Sequence, residues 1–258
     1  MSAAAGAARC LAGAGAVWLR NATVWARSWR TSLVGSVGEP LFLFLGLGYG
    51  LGTLVPEVGG VPYLRFVAPG IMVSSVMQSA TIEATYGAFT KLEHQRVYAS
   101  MILSPLVFAD VVLGEILWAL TKGVLSGGTV LALMVALGIA PPAAVLPGVA
   151  LLALAGLVFA ALGLIVTALA GGYDFFNYYF TLFISPMFFF SGIFFPVERL
   201  GPAVALVAGA FPLTHLVALS RSLLAGRGDP LLPLAGTVVF AAAAVAVATA
   251  LLERRFSR

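Results

Sequence analysis

From Tyr178 to Phe195 the chain is an apolar, aromatic run long enough to cross a bilayer, and that length constrains everything around it. The run breaks at Pro196-Val-Glu-Arg-Leu-Gly-Pro202. A second apolar run, Ala203 to Phe211, is too short to cross, and it ends in Pro212-Leu-Thr-His215 with Arg221 beyond. A full span followed by a half-length run predicts a helix that leaves the membrane and a segment that dips back or lies at its surface. Polar backbone at membrane depth is tolerated only where protein or a water-filled cavity covers it. The outer end of a transport path is therefore expected here.

The rest of the sequence obeys the same solvent. Only 9% of the 258 residues are charged and 61% are hydrophobic, whereas soluble domains carry about a quarter charged residues. The expected fold is an all-α integral membrane protein of about six spans, with no long polar segment to form a soluble catalytic domain. The single cysteine, Cys10, excludes an internal disulfide framework and a cysteine-based metal site. It is not a lipoprotein cysteine, because Arg9 stands where a small residue is required.

One domain is expected over residues 1–258: a flexible cytoplasmic tail (1–16), an interfacial helix (17–33), a six-span bundle (34–252) and a short tail (253–258). At about 100° per residue, Trp18, Trp25 and Trp29 share an arc, with Leu33 beside them, and Arg20, Arg27 and Arg30 lie roughly opposite. Two faces sustained over several turns favour a helix lying in the membrane interface over a plain charged flank. The first span, near Val34–Val55, carries Gly46, Gly48, Gly50 and Gly52, which would allow close helix approach. The second runs near Tyr63–Tyr86, the third lies within Leu106–Leu137, the fourth near Pro147–Ala170 and the sixth near Leu231–Leu252. Glu115 and Lys122 in the third span are seven residues apart and share a face. They either look into the bundle or mark a helix that begins outside the membrane.

Hydrophobicity drops between the second and third spans, at Lys-Leu-Glu-His-Gln-Arg from Lys91 to Arg96. A helix could emerge there and dock on a partner, which makes Lys91, Glu93, His94 and Arg96 candidate coupling residues; the competing reading is a solvated loop whose charges mark its side of the membrane. With both termini inside, the inner face holds Arg9, Arg20, Arg27, Arg30, Lys91, Arg96, Arg254, Arg255 and Arg258, against Arg65, Arg199, Arg221 and Arg227 outside. Nine against four follows the positive-inside tendency, so the net charge of +4 speaks of topology and not of nucleic acid.

Gly-x4-Gly-Lys-Ser/Thr is absent, so the chain has no phosphate loop of its own. His-Glu-x-x-His and Gly-x-Ser-x-Gly are absent too, and the two histidines, His94 and His215, lie in distant segments, which argues against a membrane metalloprotease or serine hydrolase. No catalytic, cofactor-binding or metal-binding residue is expected. His215 could serve as a proton relay, but the favoured reading is a hydrogen-bonded brace for a half-buried loop. Arg221 reads equally as a contact for an anionic substrate or an anchor at the headgroups.

Ile184, Met187, Ser191 and Ile193, then Leu200-Gly201, then Pro212-Leu213-Thr214-His215 and Arg221 resemble the signature of the type-2 ABC export permeases, although Phe190 stands where a smaller residue is usual. Pro-Leu-x-His-x5-Arg is the specific part. Leu103-Ser104-Pro105-Leu106 resembles the sequence after the coupling segment of these permeases. The resemblance implies a permease subunit in a bacterial inner membrane that binds no cofactor itself. It would work as a homodimer with two copies of a cytoplasmic ATPase carrying ATP and Mg. Ser191, Gly201, Pro212, His215 and Arg221 would form the outer gate. Cargo would be amphipathic: a lipid-linked glycan, a lipo-oligosaccharide, a lipid or a hydrophobic drug. Phe180, Phe188 and Phe189 are candidates for its path, against the plainer reading of packing and lipid contact.

Two rivals remain. An ion-coupled secondary transporter needs embedded acidic residues and usually internal repeats; Glu39, Glu83, Asp110 and Glu115 lie toward inner ends and no repeat is evident. A lipid-modifying membrane enzyme needs clustered acid, base or metal-binding residues at one face, and none stands out.

Overall fold

The computed structural model describes residues 3–225 and 230–256. Arg227 and Arg258 of the charge count, and the side chains of Leu33 and Leu200, lie outside the described residues. The chain is helical nearly throughout: α1 (Ala3–Ala26), α2 (Trp29–Leu43), α3 (Tyr63–Ile82), α4 (Val97–Ile102), α5 (Phe108–Ala136), α6 (Val145–Leu169), α7 (Asp174–Tyr179), α8 (Ser185–Phe190), α9 (Pro202–Gly209), α10 (Pro212–Ala225) and α11 (Leu231–Phe256). Between α2 and α3 a hairpin pairs β1 (Glu57–Val58) antiparallel with β2 (Val61–Pro62), turning through Gly59 and Gly60 at positive φ.

Among the described residues, four helical stretches are long and apolar enough to cross a membrane: Trp29–Thr53, Phe108–Ala136, Pro142–Leu169 and Pro233–Arg255. A fifth is reached if the pair α9 and α10, bent by 90°, counts as one. The expected second span is present as a helix but falls short on apolarity. In α3, Val67 to Met77 is buried by α5, α6 and α10, so its serines and Gln78 meet protein and not lipid. The expected fifth span is shorter than the sequence suggested. The helix runs from Asp174 through a π-helical turn to Phe190, and Gly192, at φ +80°, ends it before Phe195.

The core lies between α3, α5, α6 and α10, with Ile71, Met72, Met77, Leu152 and Phe159 fully buried. Helices close to backbone contact along α5, where a methyl group on Gly127 would stand 2.8 Å from the Met72 carbonyl and one on Gly114 2.8 Å from the Ala14 carbonyl. The glycines expected to do this in the first span do so only at Gly48, against Leu64; Gly46 and Gly50 have open space. Instead the stretch Phe44–Gly50 winds as a π-helix.

The N-terminal segment also departs from expectation. Helix begins at Ala3, where a flexible tail to Ala16 was expected. It ends at Arg27–Ser28, so Trp29 and Arg30 belong to α2 and not to the helix carrying Trp18 and Trp25. The tryptophan face packs on protein: Trp18 Nε1 donates to Thr121 Oγ1 at 3.0 Å, and Trp25 meets Trp118 edge-on at 6.2 Å.

Candidate functional site

Two ends of the bundle carry chemistry. At one end, helix termini inside an apolar bundle leave carbonyls that need donors. The residues of the Pro-Leu-Thr-His stretch supply them. Pro212 starts α10 after the 90° bend; Thr214 Oγ1 then donates to Ala208 O at 2.6 Å and His215 Nε2 lies 2.9 Å from Gly209 O. Both acceptors are at the C-terminus of α9. Six residues on, Arg221 does the same for the chain leaving α8: its Nη2 donates to Gly192 O at 2.6 Å, and to Ile193 O and Phe66 O at 3.3 Å, while its guanidinium stacks 3.9 Å from the Phe66 ring centroid. Its contacts with Gly192, Ile193 and Phe66 clasp backbone, a third role beside the two that the sequence left open. Ser191 is buried beside this clasp and Gly201 takes φ +88° before α9. Ser191, Gly201, Pro212, His215 and Arg221, the five residues expected at the outer gate, thus lie along one broken helical stretch.

At the other end lies a buried charge cluster. Lys91, 8% exposed, projects inward from the π-helical continuation of α3. Its Nζ lies 2.5 Å from Glu115 Oε2 on α5 and 3.4 Å from Oε1 of Glu83, which opens the π-helical turn after α3. Asn21 Nδ2 of α1 donates to Glu115 Oε1 at 3.0 Å, and Arg20 Nη1 donates to Asn21 Oδ1 at 3.0 Å. Tyr98 of α4 is buried alongside; burial, and then the Glu115 carboxylate, push its hydroxyl well above the ordinary tyrosine value, so it stays protonated. Four elements, α1, the end of α3, α4 and α5, therefore meet on one lysine and two carboxylates.

The other candidates near Lys91 face outward. Glu93 accepts from Arg255 Nη2 at 2.8 Å, and that same arginine caps α6 through Thr167 O at 2.6 Å and Ala168 O at 3.1 Å. His94 is exposed, its ring 5.2 Å from Tyr173, and Arg96 is exposed in left-handed backbone at φ 49° just before α4. Arg27 and Arg30 are exposed, Arg30 over the Trp29 ring. The phenylalanines divide: Phe180 packs on Tyr86, whereas Phe188 meets Phe189 and Phe194 at about the end of α8, with Phe189 half exposed. Asn21, Glu83 and Tyr98 had no motif to announce them. For Glu115, its place seven residues before Lys122 inside an apolar stretch was the one signal.

A helical bundle of membrane-crossing length, with a sharply bent helix pair at one end and a paired charge cluster at the other, defines a multi-pass membrane protein. The chain belongs to the ABC-2 type transporter family, whose model matches residues 14–225. It is 40% identical over 245 residues to nodulation protein J of Rhizobium leguminosarum bv. trifolii, covering 94% of each chain. It is 38% identical over 242 residues to nodulation protein J of Sinorhizobium fredii, covering 93% of this chain and 92% of that one. A more distant relative, the inner membrane transport permease YadH of Escherichia coli (strain K12), is 23% identical over 242 residues, covering 92% and 93%. The chain is thus an ABC exporter permease.

Proposed function

We propose that this chain is the membrane subunit of an ATP-driven exporter that pairs with a second copy of itself and with two cytoplasmic ATPase subunits, and moves an amphipathic cargo outward. ATP and Mg bind the ATPase. The cargo class is a lipid-linked glycan, lipo-oligosaccharide, lipid or hydrophobic drug, and the nodulation proteins among the relatives favour the lipo-oligosaccharide end of that range. Both termini face the cytoplasm, on the strength of the arginine count.

The observation that carries the coupling part is the Lys91 cluster directly beneath an exposed charged turn. His94 and Arg96 offer polar contacts to a partner, while Lys91, three residues before His94, ties the same backbone to α5 and α1. A push on the turn therefore reaches the bundle through buried ion pairs and not through a loose loop. Charges at such a surface set partner choice and association more than raw affinity. The test is co-purification of the cognate ATPase with His94→Glu/Arg96→Glu. The double variant inserts normally and retains less ATPase by on the order of tenfold, the effect of about 1.4 kcal/mol. Undiminished co-purification with normal export would move the docking role to the arginine-bearing helix α1.

A further inference from the structure

We propose that the polar cavity between α2, α3 and α5 is a binding site for one neutral, hydroxyl- or amide-bearing headgroup of an amphiphile; the inference rests on the exporter reading and names where its cargo would be held. The cavity measures about 270 Å³, at the lower edge of small-ligand pockets and room for one sugar ring rather than a chain of them. Ser36 and Glu39 reach it from α2, Gln78 from α3, and Lys122 and Ser126 from α5, with Glu83 at the end of α3. Polar side chains at membrane depth are costly unless they face protein or a cavity, so six of them from three helices make a deliberate lining.

The hydrogen-bonding capacity left over is informative. Three of the serines spend their donors on backbone: Ser36 Oγ donates to Ser32 O at 2.9 Å, Ser126 Oγ to Ser36 O at 2.9 Å and Ser79 Oγ to Lys122 O at 3.1 Å. Gln78 Oε1 is buried and accepts no hydrogen bond among the described residues. An acceptor needs a donor, which a phosphate oxygen lacks and a hydroxyl or amide has. Lys122 Nζ, 3.5 Å from Ser36 Oγ, provides donors on the other side. One lysine against Glu39 and Glu83 gives no net positive field for an anion, even with Glu83 shared with Lys91 at 3.4 Å. Apolar Leu43 and Ile82 also line the cavity and would take the stem of an alkyl chain. Glu83 both lines the cavity and contacts Lys91, so occupancy is communicated to the charged turn through one carboxylate.

The test uses the full chain in phosphatidylcholine nanodiscs and a decyl glucoside bearing a photoreactive diazirine beside the headgroup, with crosslinks mapped by mass spectrometry. Saturable labelling is expected within residues 32–43, 75–83 and 122–126, displaced by decyl glucoside but not by decyl phosphate. Gln78→Leu, a near-isosteric change, should weaken labelling about fivefold, the scale of one lost neutral hydrogen bond, while Thr129→Ala elsewhere on α5 leaves it unchanged. Equal displacement by both headgroups, or labelling spread over the exposed Leu146 and Leu182, overturns the site; stronger displacement by decyl phosphate overturns its neutral character. The wild-type competition decides the matter by itself if Gln78→Leu fails to fold. Glucoside binding without ATP-driven export would overturn the exporter reading alone, and export without glucoside binding would overturn this site alone.

Discussion

Arg221 shows how one side chain can hold an irregular turn inside an apolar bundle. Its donors go to the Gly192 and Ile193 carbonyls beyond the end of α8 and to Phe66 O in the first turn of α3, and its plane lies on Phe66. Arg221→Ala should lower stability by about 2 kcal/mol, the worth of a charge-assisted hydrogen bond, and Arg221→Lys should recover only part, since an ammonium lacks the planar fork. Thermal unfolding in detergent reads both; an unchanged midpoint with lost export would return Arg221 to substrate contact. Lys91 gives a second residue-scale expectation. Lys91→Met leaves buried carboxylates unpaired and should cost about 3–5 kcal/mol, whereas adding Glu115→Gln removes one orphaned charge and restores part of the loss. A double-mutant cycle on the unfolding midpoint measures it; additive effects would mean the two groups do not interact. The brace formed by His215 was legible in the sequence, because a histidine after a Pro-Leu-Thr turn has carbonyls within reach. Lys91 was not: a lysine in a charged connection reads as surface, and only the third dimension places Glu83 and Glu115 around it. Asn21 had no sequence signal at all.

At the scale of elements, α5 is the strut to which α1, α3 and α6 attach, and its contacts are set by glycine. Gly127→Val should destabilise by about 1–3 kcal/mol, because the Met72 carbonyl and Leu152 cannot all move aside. Gly128→Ala, next along the chain with nothing within 4 Å, should be neutral or slightly stabilising through helix propensity. Equal effects at the two positions would contradict the close-approach account. The break after α8 and the half-length α9 were readable from run length and prolines. The early end of that helix at Phe190 was less so, since phenylalanine continues the apolar pattern to Phe195 while Gly192 decides the backbone. In α3 the expected second span is present as a helix, and because protein wraps it, it can carry serines and a glutamine that a lipid-facing helix cannot.

Across the whole molecule, the two chemistries sort to opposite ends. Arg255 to Glu93 and Asn21 to Glu115 draw the C-terminal helix, the N-terminal helix and the charged turn together, and Arg221 joins the start of α3 to the end of α8 at the far end. Single cysteines at residues 12, 94 and 254 in a Cys10→Ser background should therefore all label from the cytoplasmic side, and those at 57 and 199 from outside. Labelling of residue 94 from outside in intact cells would invert the topology. The exporter account rests most directly on ATP-dependent movement of cargo. The chain, reconstituted with its cognate ATPase in proteoliposomes, should translocate a fluorescent lipid-linked sugar only when ATP and Mg reach the ATPase, and should hydrolyse no ATP alone. Translocation driven by a proton or sodium gradient without ATP, or none with the assembled complex, would contradict it.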